Sequence, residues 1–158
     1  MTTIDVNDWR IAVAVPPDPG KTGLVNQSTA GRQTCASEGG VTGARNAGVL
    51  HTAPGHRCDL IDLPGTYSLR GRSPDEEIAR DAILGKLASE SPPDFLLCVA
   101  DATNLRVALR LVIELKRVHR PMMPVLNMSD IARRPGVDVN RARLSAELGR
   151  PVWTSPPM

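Results

Sequence analysis

The stretch that most limits what this chain can become runs from Ile11 to Thr22: Ile-Ala-Val-Ala-Val, then Pro-Pro-Asp-Pro, then Gly20-Lys21-Thr22. An apolar run of this kind reads as a buried strand, the prolines end it, and Gly-Lys-Thr opens a helix. Strand, tight loop and helix in that order make a phosphate cradle. Consecutive backbone N–H groups point at a polyphosphate, the lysine neutralises it, and the threonine hydroxyl holds Mg²⁺. The match to G-x-x-x-x-G-K-[ST] is incomplete, because Val15 stands at the first glycine position. Alone, a bare Gly-Lys-Thr is more often an ordinary turn into a helix, so the remaining elements decide.

Those elements alternate. Thr22 to Ser28 reads as a short helix whose positive end faces the phosphates. Ala30 to Gly48 is polar, Gly-rich and too long for an ordinary connection. Val49 to Ala53 and Arg57 to Ile61 flank Pro54-Gly55 as a hairpin, and the second strand runs into Asp62-Leu-Pro-Gly65. Ser73-Pro-Asp-Glu76 is a capping box with Pro at the first helical position. The helix behind it carries Ala79, Ile83 and Leu87, and Pro92-Pro93 stops the chain. Phe95 to Ala100 is a buried strand ending at Asp101. Asn104 is placed to cap a helix with a stripe of Leu105, Ala108, Leu109, Val112 and Leu115 and an opposite face of Arg106, Arg110, Glu114 and Arg117. Met122 to Leu126 is a strand ending in Asn127-Met-Ser-Asp130, Asn140 to Leu148 a short helix, and Pro151 to Ser155 a last strand.

Strands alternating with helices predict a mainly parallel sheet with helices on both faces, an α/β fold. Ligands on such sheets bind beyond the carboxyl ends of the strands. Gly20-Lys21-Thr22, Asp62-x-x-Gly65 and Asn127-x-x-Asp130 each sit at such an end, so one edge should gather all three. An Asp at a strand end suits Mg²⁺, directly or through water, and Gly65 lets its N–H approach a terminal phosphate. A carboxylate at Asp130 accepts two N–H bonds from a guanine edge while the Asn127 amide braces the pocket. Thr42 offers Mg²⁺ a second hydroxyl. Each cluster alone has an ordinary explanation as a turn, a cap or a loop residue. Together, in this order, they point to one guanine-nucleotide site.

Bulk properties exclude other classes. The 158 residues suit one domain, 1–158, with a real core and little room for a second. With 19 basic and 17 acidic residues, net +2, the chain has no field that calls for nucleic acid or a membrane surface. No apolar run approaches the roughly 20 residues of a membrane span, and the start is no signal peptide. Three scattered cysteines and three scattered histidines predict free thiols in a reducing cytosol and no metal cluster. The arginines at 106, 110, 117, 133, 134, 141 and 143 read as solvated helix surface rather than an RNA face, because acids are interspersed.

The order Gly-Lys-Thr, Gly40-Val-Thr42, Asp-x-x-Gly, Asn-x-x-Asp resembles that of the translation-factor-like P-loop GTPases, with their Rossmann-like three-layer domain. Within them the chain resembles the cytoplasmic G domain of the ferrous iron transport protein B (FeoB) family. The likeness is carried by Asp62-Leu-Pro-Gly-Thr-Tyr-Ser-Leu69, Ser73-Pro-Asp-Glu-Glu-Ile-Ala-Arg-Asp81, Val99-Ala-Asp-Ala-Thr-Asn-Leu105, Leu126-Asn-Met-Ser-Asp130 and Leu144-Ser-Ala-Glu-Leu-Gly149. The resemblance implies GTP and GDP binding with Mg²⁺, slow hydrolysis, and coupling to Fe²⁺ uptake at the cytoplasmic face of a membrane through a transporter portion. By the same likeness Gly20, Lys21 and Gly23 border the phosphates, Thr22, Thr42 and Asp62 serve the metal, and Gly65 senses the terminal phosphate. Asn127, Met128 and Asp130 take the base, and Thr154-Ser155 begins the last base-contacting loop.

Departures from the family's pattern define a second reading. Val15 places a branched side chain where the family has Gly, and Pro19 removes an N–H from the cradle. Asp18 replaces an Asn that in this family helps to hold K⁺. At 4 Å and an effective dielectric near 20, a carboxylate beside a triphosphate is repelled by roughly 4 kcal/mol, about a thousandfold in affinity unless a cation screens it. Thr66 follows Asp-x-x-Gly where a water-orienting side chain would stand. The chain is thus either a nucleotide-binding domain with slow or absent hydrolysis, or a GTPase-shaped scaffold that works through protein contacts. The family's closing helix is not seen before Met158, so a strip of sheet is expected to be left for another chain or a second copy.

Overall fold

The computed structural model describes residues 9–17, 47–51, 57–88, 90–127 and 139–154. Six strands form one sheet in the order β2-β3-β1-β4-β5-β6, where β1 is Trp9–Ala14, β2 Ala47–His51, β3 Arg57–Asp62, β4 Phe95–Asp101, β5 Met122–Asn127 and β6 Trp153–Thr154. Only β2 is antiparallel to its neighbour, pairing His51 with Arg57 and Ala47 with Ile61 as the expected hairpin. The other five strands run parallel. The last strand is shorter than read from the sequence, two residues paired to Val125 and Leu126.

Alternation along the strands sorts the core onto two faces. Ala12, Ala14, Leu96, Cys98 and Leu126 join one cluster, together with residues of α1 (Pro74–Leu84) and α2 (Leu105–Lys116) and with Leu148 of α3 (Arg141–Leu148). Val13, Val15, Leu60, Val99 and Val125 form the other. The three described helices all pack on the first cluster, and no described helix joins the second.

Local chemistry sets the helix limits. The Ser73 hydroxyl accepts from Glu76 N at 3.3 Å at the start of α1, and Gly85, at φ 71°, ends the helix in a left-handed turn. Ala79 and Ile83 are buried, whereas Leu87 lies beyond the helix and packs half-buried on the same cluster. The Arg120 guanidinium holds the following loop by donating to Ile83 O at 3.1 Å and Pro93 O at 2.8 Å. On α2 the inward stripe is Ala108, Leu111, Val112 and Leu115, with Leu105 and Leu109 half-buried at its margin. Asn104 is the N-terminal boundary residue of α2, yet its side chain makes no capping bond. Asp101 does the work one turn earlier, accepting from Thr103 N at 2.7 Å and Thr103 Oγ1 at 2.6 Å to close a 3₁₀ turn over 102–104. The Asn140 side chain caps α3 by accepting from Arg143 N at 2.9 Å.

Candidate functional site

Parallel pairing fixes where the strands end. Val13 lies beside Asp62, Asp101 beside Asn127, and Leu126 beside Thr154. Asp62 and Asn127 consequently stand on one edge of the sheet, the carboxyl edge of five parallel strands, and Thr154 joins them there; the Gly20-Lys21-Thr22 cluster expected on the same edge lies outside the described residues. Asn127 is buried and Asp62 half-buried. Asp18, Gly20, Lys21, Thr22, Gly23, Thr42, Met128, Asp130 and Ser155 lie outside the described residues.

The loop after β3 packs on the loop after β1. Leu63 N donates to Val13 O at 3.2 Å, and Thr66 N donates to Val15 O at 3.0 Å. Between these two bonds, Gly65 comes so near Pro17 that an added β-carbon would lie 2.7 Å from Pro17 Cβ and 2.8 Å from its Cα. Gly65 is thus needed for the close approach of two loops, a reason the sequence alone does not give. Val15 departs from expectation as well. It is 5% exposed and sits in the second core cluster, and among the described non-glycine residues only His119 has a positive φ. Its side chain belongs to the hydrophobic interior, and its backbone needs none of the freedom of glycine.

Two residues that the sequence reading placed on helices without a role toward this loop hold the 67–72 segment to them. Glu76 fills only half of a capping box. Instead of closing on Ser73 N, its carboxylate accepts from Arg72 N at 2.9 Å and from Tyr67 N at 3.4 Å. Glu114, on α2, accepts from Leu69 N at 2.6 Å. The signal for Glu114 was one acid on an otherwise basic helix face. Thr66 is fully buried, with its hydroxyl donating to Ser68 O at 2.6 Å and accepting from Ser68 N at 3.3 Å.

Mg²⁺ takes hard oxygen donors, one or two from carboxylates and the rest from hydroxyls, water and phosphate. Asp62, a carboxylate at the carboxyl edge of the sheet, fits that donor set. Among the described residues no group of three His, Cys, Asp or Glu forms a closed metal cage of another kind. No described helix is long and apolar enough to cross a membrane.

Five parallel strands with an antiparallel edge pair, covered by helices and carrying acidic and amide side chains at one carboxyl edge, define a P-loop GTPase domain of the α/β class. The family model described as ferrous iron transport protein B matches residues 9–155, and the chain belongs to that family. It is 41% identical over 140 residues to the Fe(2+) transporter FeoB of Escherichia coli K12, a match covering 86% of this chain and 17% of the transporter. The FeoB of Salmonella typhimurium matches with the same identity and coverage. Among solved structures, the cytosolic domain of Thermotoga maritima FeoB in its GMPPNP form superposes with a TM-score of 0.79 at 35% identity, covering 93% of this chain and 56% of that one. The FeoB G domain of Methanococcus jannaschii gives 0.76 at 28% identity, covering 94% and 85%. The chain therefore spans about a sixth of the length of the curated transporters it matches, a share of 17%.

Proposed function

We propose that this chain is a guanine-nucleotide-binding domain that takes GTP and GDP with Mg²⁺, hydrolyses GTP slowly or not at all, and serves ferrous iron transport. The observation that carries this reading is the single edge shared by Asp62, Asn127 and Thr154, with Gly65 seated against the entry to the phosphate loop at Pro17. In this reading Lys21 contacts the outer phosphates, while Gly20 and Gly23 border them. Thr22, Thr42 and Asp62 hold Mg²⁺. Asn127, Met128 and Asp130 select guanine, with Thr154 and Ser155 beside the base. Asp18 places a carboxylate where K⁺ would be held. Slow hydrolysis accords with Thr66, whose hydroxyl is spent on its own loop.

The solved relatives of Thermotoga maritima are described as cytosolic domains and one was captured with GMPPNP, which supports a cytoplasmic location and nucleotide binding here. The functional partner in this reading is a membrane-embedded iron-transporting portion, with the domain held at its cytoplasmic face. Self-association in this reading would use the sheet face that the family's closing helix covers.

Titration with a fluorescent GDP analogue, with and without Mg²⁺ and K⁺, tests the reading. Saturable binding that GTP displaces and ATP does not is the expected result. Absence of saturable binding below millimolar overturns it and leaves a scaffold that keeps only the GTPase shape.

A further inference from the structure

A groove of about 840 Å³ opens between the 67–72 loop, the start of α1 and the outer face of α2. Its walls include Tyr67, Arg70, Arg72, Arg106, Arg110 and Ile113. Four guanidinium-bearing residues thus border one cleft. The ion pairs among the described residues are Arg10–Glu90, Arg57–Asp59 and Arg80–Asp81, none of which involves these four. The one acid lining the groove, Glu76, is already engaged by the backbone N–H groups of Tyr67 and Arg72, and the nearby Glu114 is engaged by Leu69 N. Four cations facing a concave surface raise the local potential and favour an anionic occupant.

The apolar part of the groove narrows the choice. Tyr67 is 44% exposed and Ile113 49% exposed, both large side chains left open to water beside the arginines. On α2, Arg106, Arg110 and Ile113 follow one another at four and three residues, so they form one helical face two turns long. A surface that alternates guanidinium and aliphatic groups along a helix complements a segment that alternates carboxylate and aliphatic groups. Nucleic acid would ask for stacking partners, and the groove offers a single aromatic ring. We infer that this groove docks an acidic amphipathic segment of a partner protein, with carboxylates on Arg70, Arg72, Arg106 and Arg110 and aliphatic side chains on Tyr67 and Ile113. The inference does not depend on nucleotide being bound.

Fluorescence anisotropy with a designed helical peptide of about 14 residues, carrying Glu at i, i+4 spacing and Leu beside it, reads the interaction directly. The same peptide with Gln in place of Glu is the control. The full 158-residue chain is expected to bind the Glu peptide about tenfold more tightly than the Gln peptide, with affinity falling as salt rises. Arg106→Gln with Arg110→Gln should weaken binding about tenfold, whereas Arg117→Gln with Arg141→Gln, both exposed elsewhere, should leave it unchanged. All four positions are exposed, so circular dichroism should show the variants folded. Equal binding of the two peptides, or an undiminished affinity in the Arg106/Arg110 variant, overturns the inference. Tighter binding of a single-stranded RNA of matching charge overturns it in favour of nucleic acid.

Discussion

Gly65 and Pro17 occupy the same small space: a β-carbon on Gly65 would stand 2.7 Å from Cβ of Pro17. The loop that follows the strand-end aspartate and the loop that enters the phosphate cradle are consequently one packed unit, tied on either side by Leu63 N to Val13 O and Thr66 N to Val15 O. Any shift of one loop must be felt by the other.

Gly65→Ala should therefore destabilise the chain by about 1–3 kcal/mol, the usual cost of overpacking a backbone contact that no flexible side chain can relieve. Pro17→Gly removes the obstructing ring. Because the Pro17 Cα at 2.8 Å remains, the double variant should recover only part of the loss, and that coupling will appear in a double-mutant cycle of urea midpoints. Additive losses would place the effect elsewhere.

Glu76 and Glu114 together hold three backbone N–H groups of the 67–72 segment. Replacing Glu114 with Ala removes a charge-assisted bond of 2.6 Å and should cost about 1.5–3 kcal/mol, discounted toward the lower figure because the residue is only half-buried. Glu114→Gln keeps an acceptor and should cost less than half as much. Hydrogen exchange at Leu69 gives the direct readout: its amide should exchange faster in Glu114→Ala than in the parent, beyond the change seen in α2.

Much of this architecture was legible in the chain. The cap at Ser73 and the apolar run of Ile11 to Val15 are short-range features, and short-range chemistry is what a sequence displays. The shared edge followed from topology, since parallel strands must end on the same side. Contacts between distant segments were not legible. Nothing near Gly65 announces Pro17, and nothing near Glu76 says that its carboxylate will reach back to Tyr67 rather than close on Ser73. The helix boundary falls at Asn104 as read, but the capping bond is made by Asp101, because a 3₁₀ turn over 102–104 precedes the helix. Val15 looked like a loss to the cradle because the glycine pattern is read as a nucleotide motif, whereas here the position is a core position.

Cys98 gives a pH prediction. It is fully buried in the first core cluster, and burial pushes its thiol up from 9.0 to about 12. The folded chain keeps a proton that the unfolded chain releases. Stability from this residue is thus fully present below pH 9 and is lost as pH rises toward 12. The difference in unfolding free energy between the parent and Cys98→Ala should be constant at neutral pH and shrink above pH 9. A thiol reagent at pH 8 should leave Cys98 unmodified until denaturant is added. Rapid labelling of the native chain at this position would show that the strand opens.

Thr66 separates a structural role from a chemical one. Its hydroxyl is completely enclosed, donating to Ser68 O at 2.6 Å and accepting from Ser68 N at 3.3 Å. Valine has nearly the same shape and neither function. Thr66→Val should therefore strand both Ser68 groups and lower stability by about 1–2 kcal/mol, read from the urea midpoint. If the hydroxyl serves only the loop, single-turnover GTP hydrolysis by the folded variant should match the parent under conditions where both are saturated with nucleotide and Mg²⁺. A loss on the order of a hundredfold, the scale expected when a group that handles the attacking water is removed, would instead give Thr66 a part in the reaction. Thr66→Ser distinguishes the two cases further. It restores the hydroxyl and should recover the bonds to Ser68 while leaving a methyl-sized void, so its stability should fall between those of the parent and the valine variant.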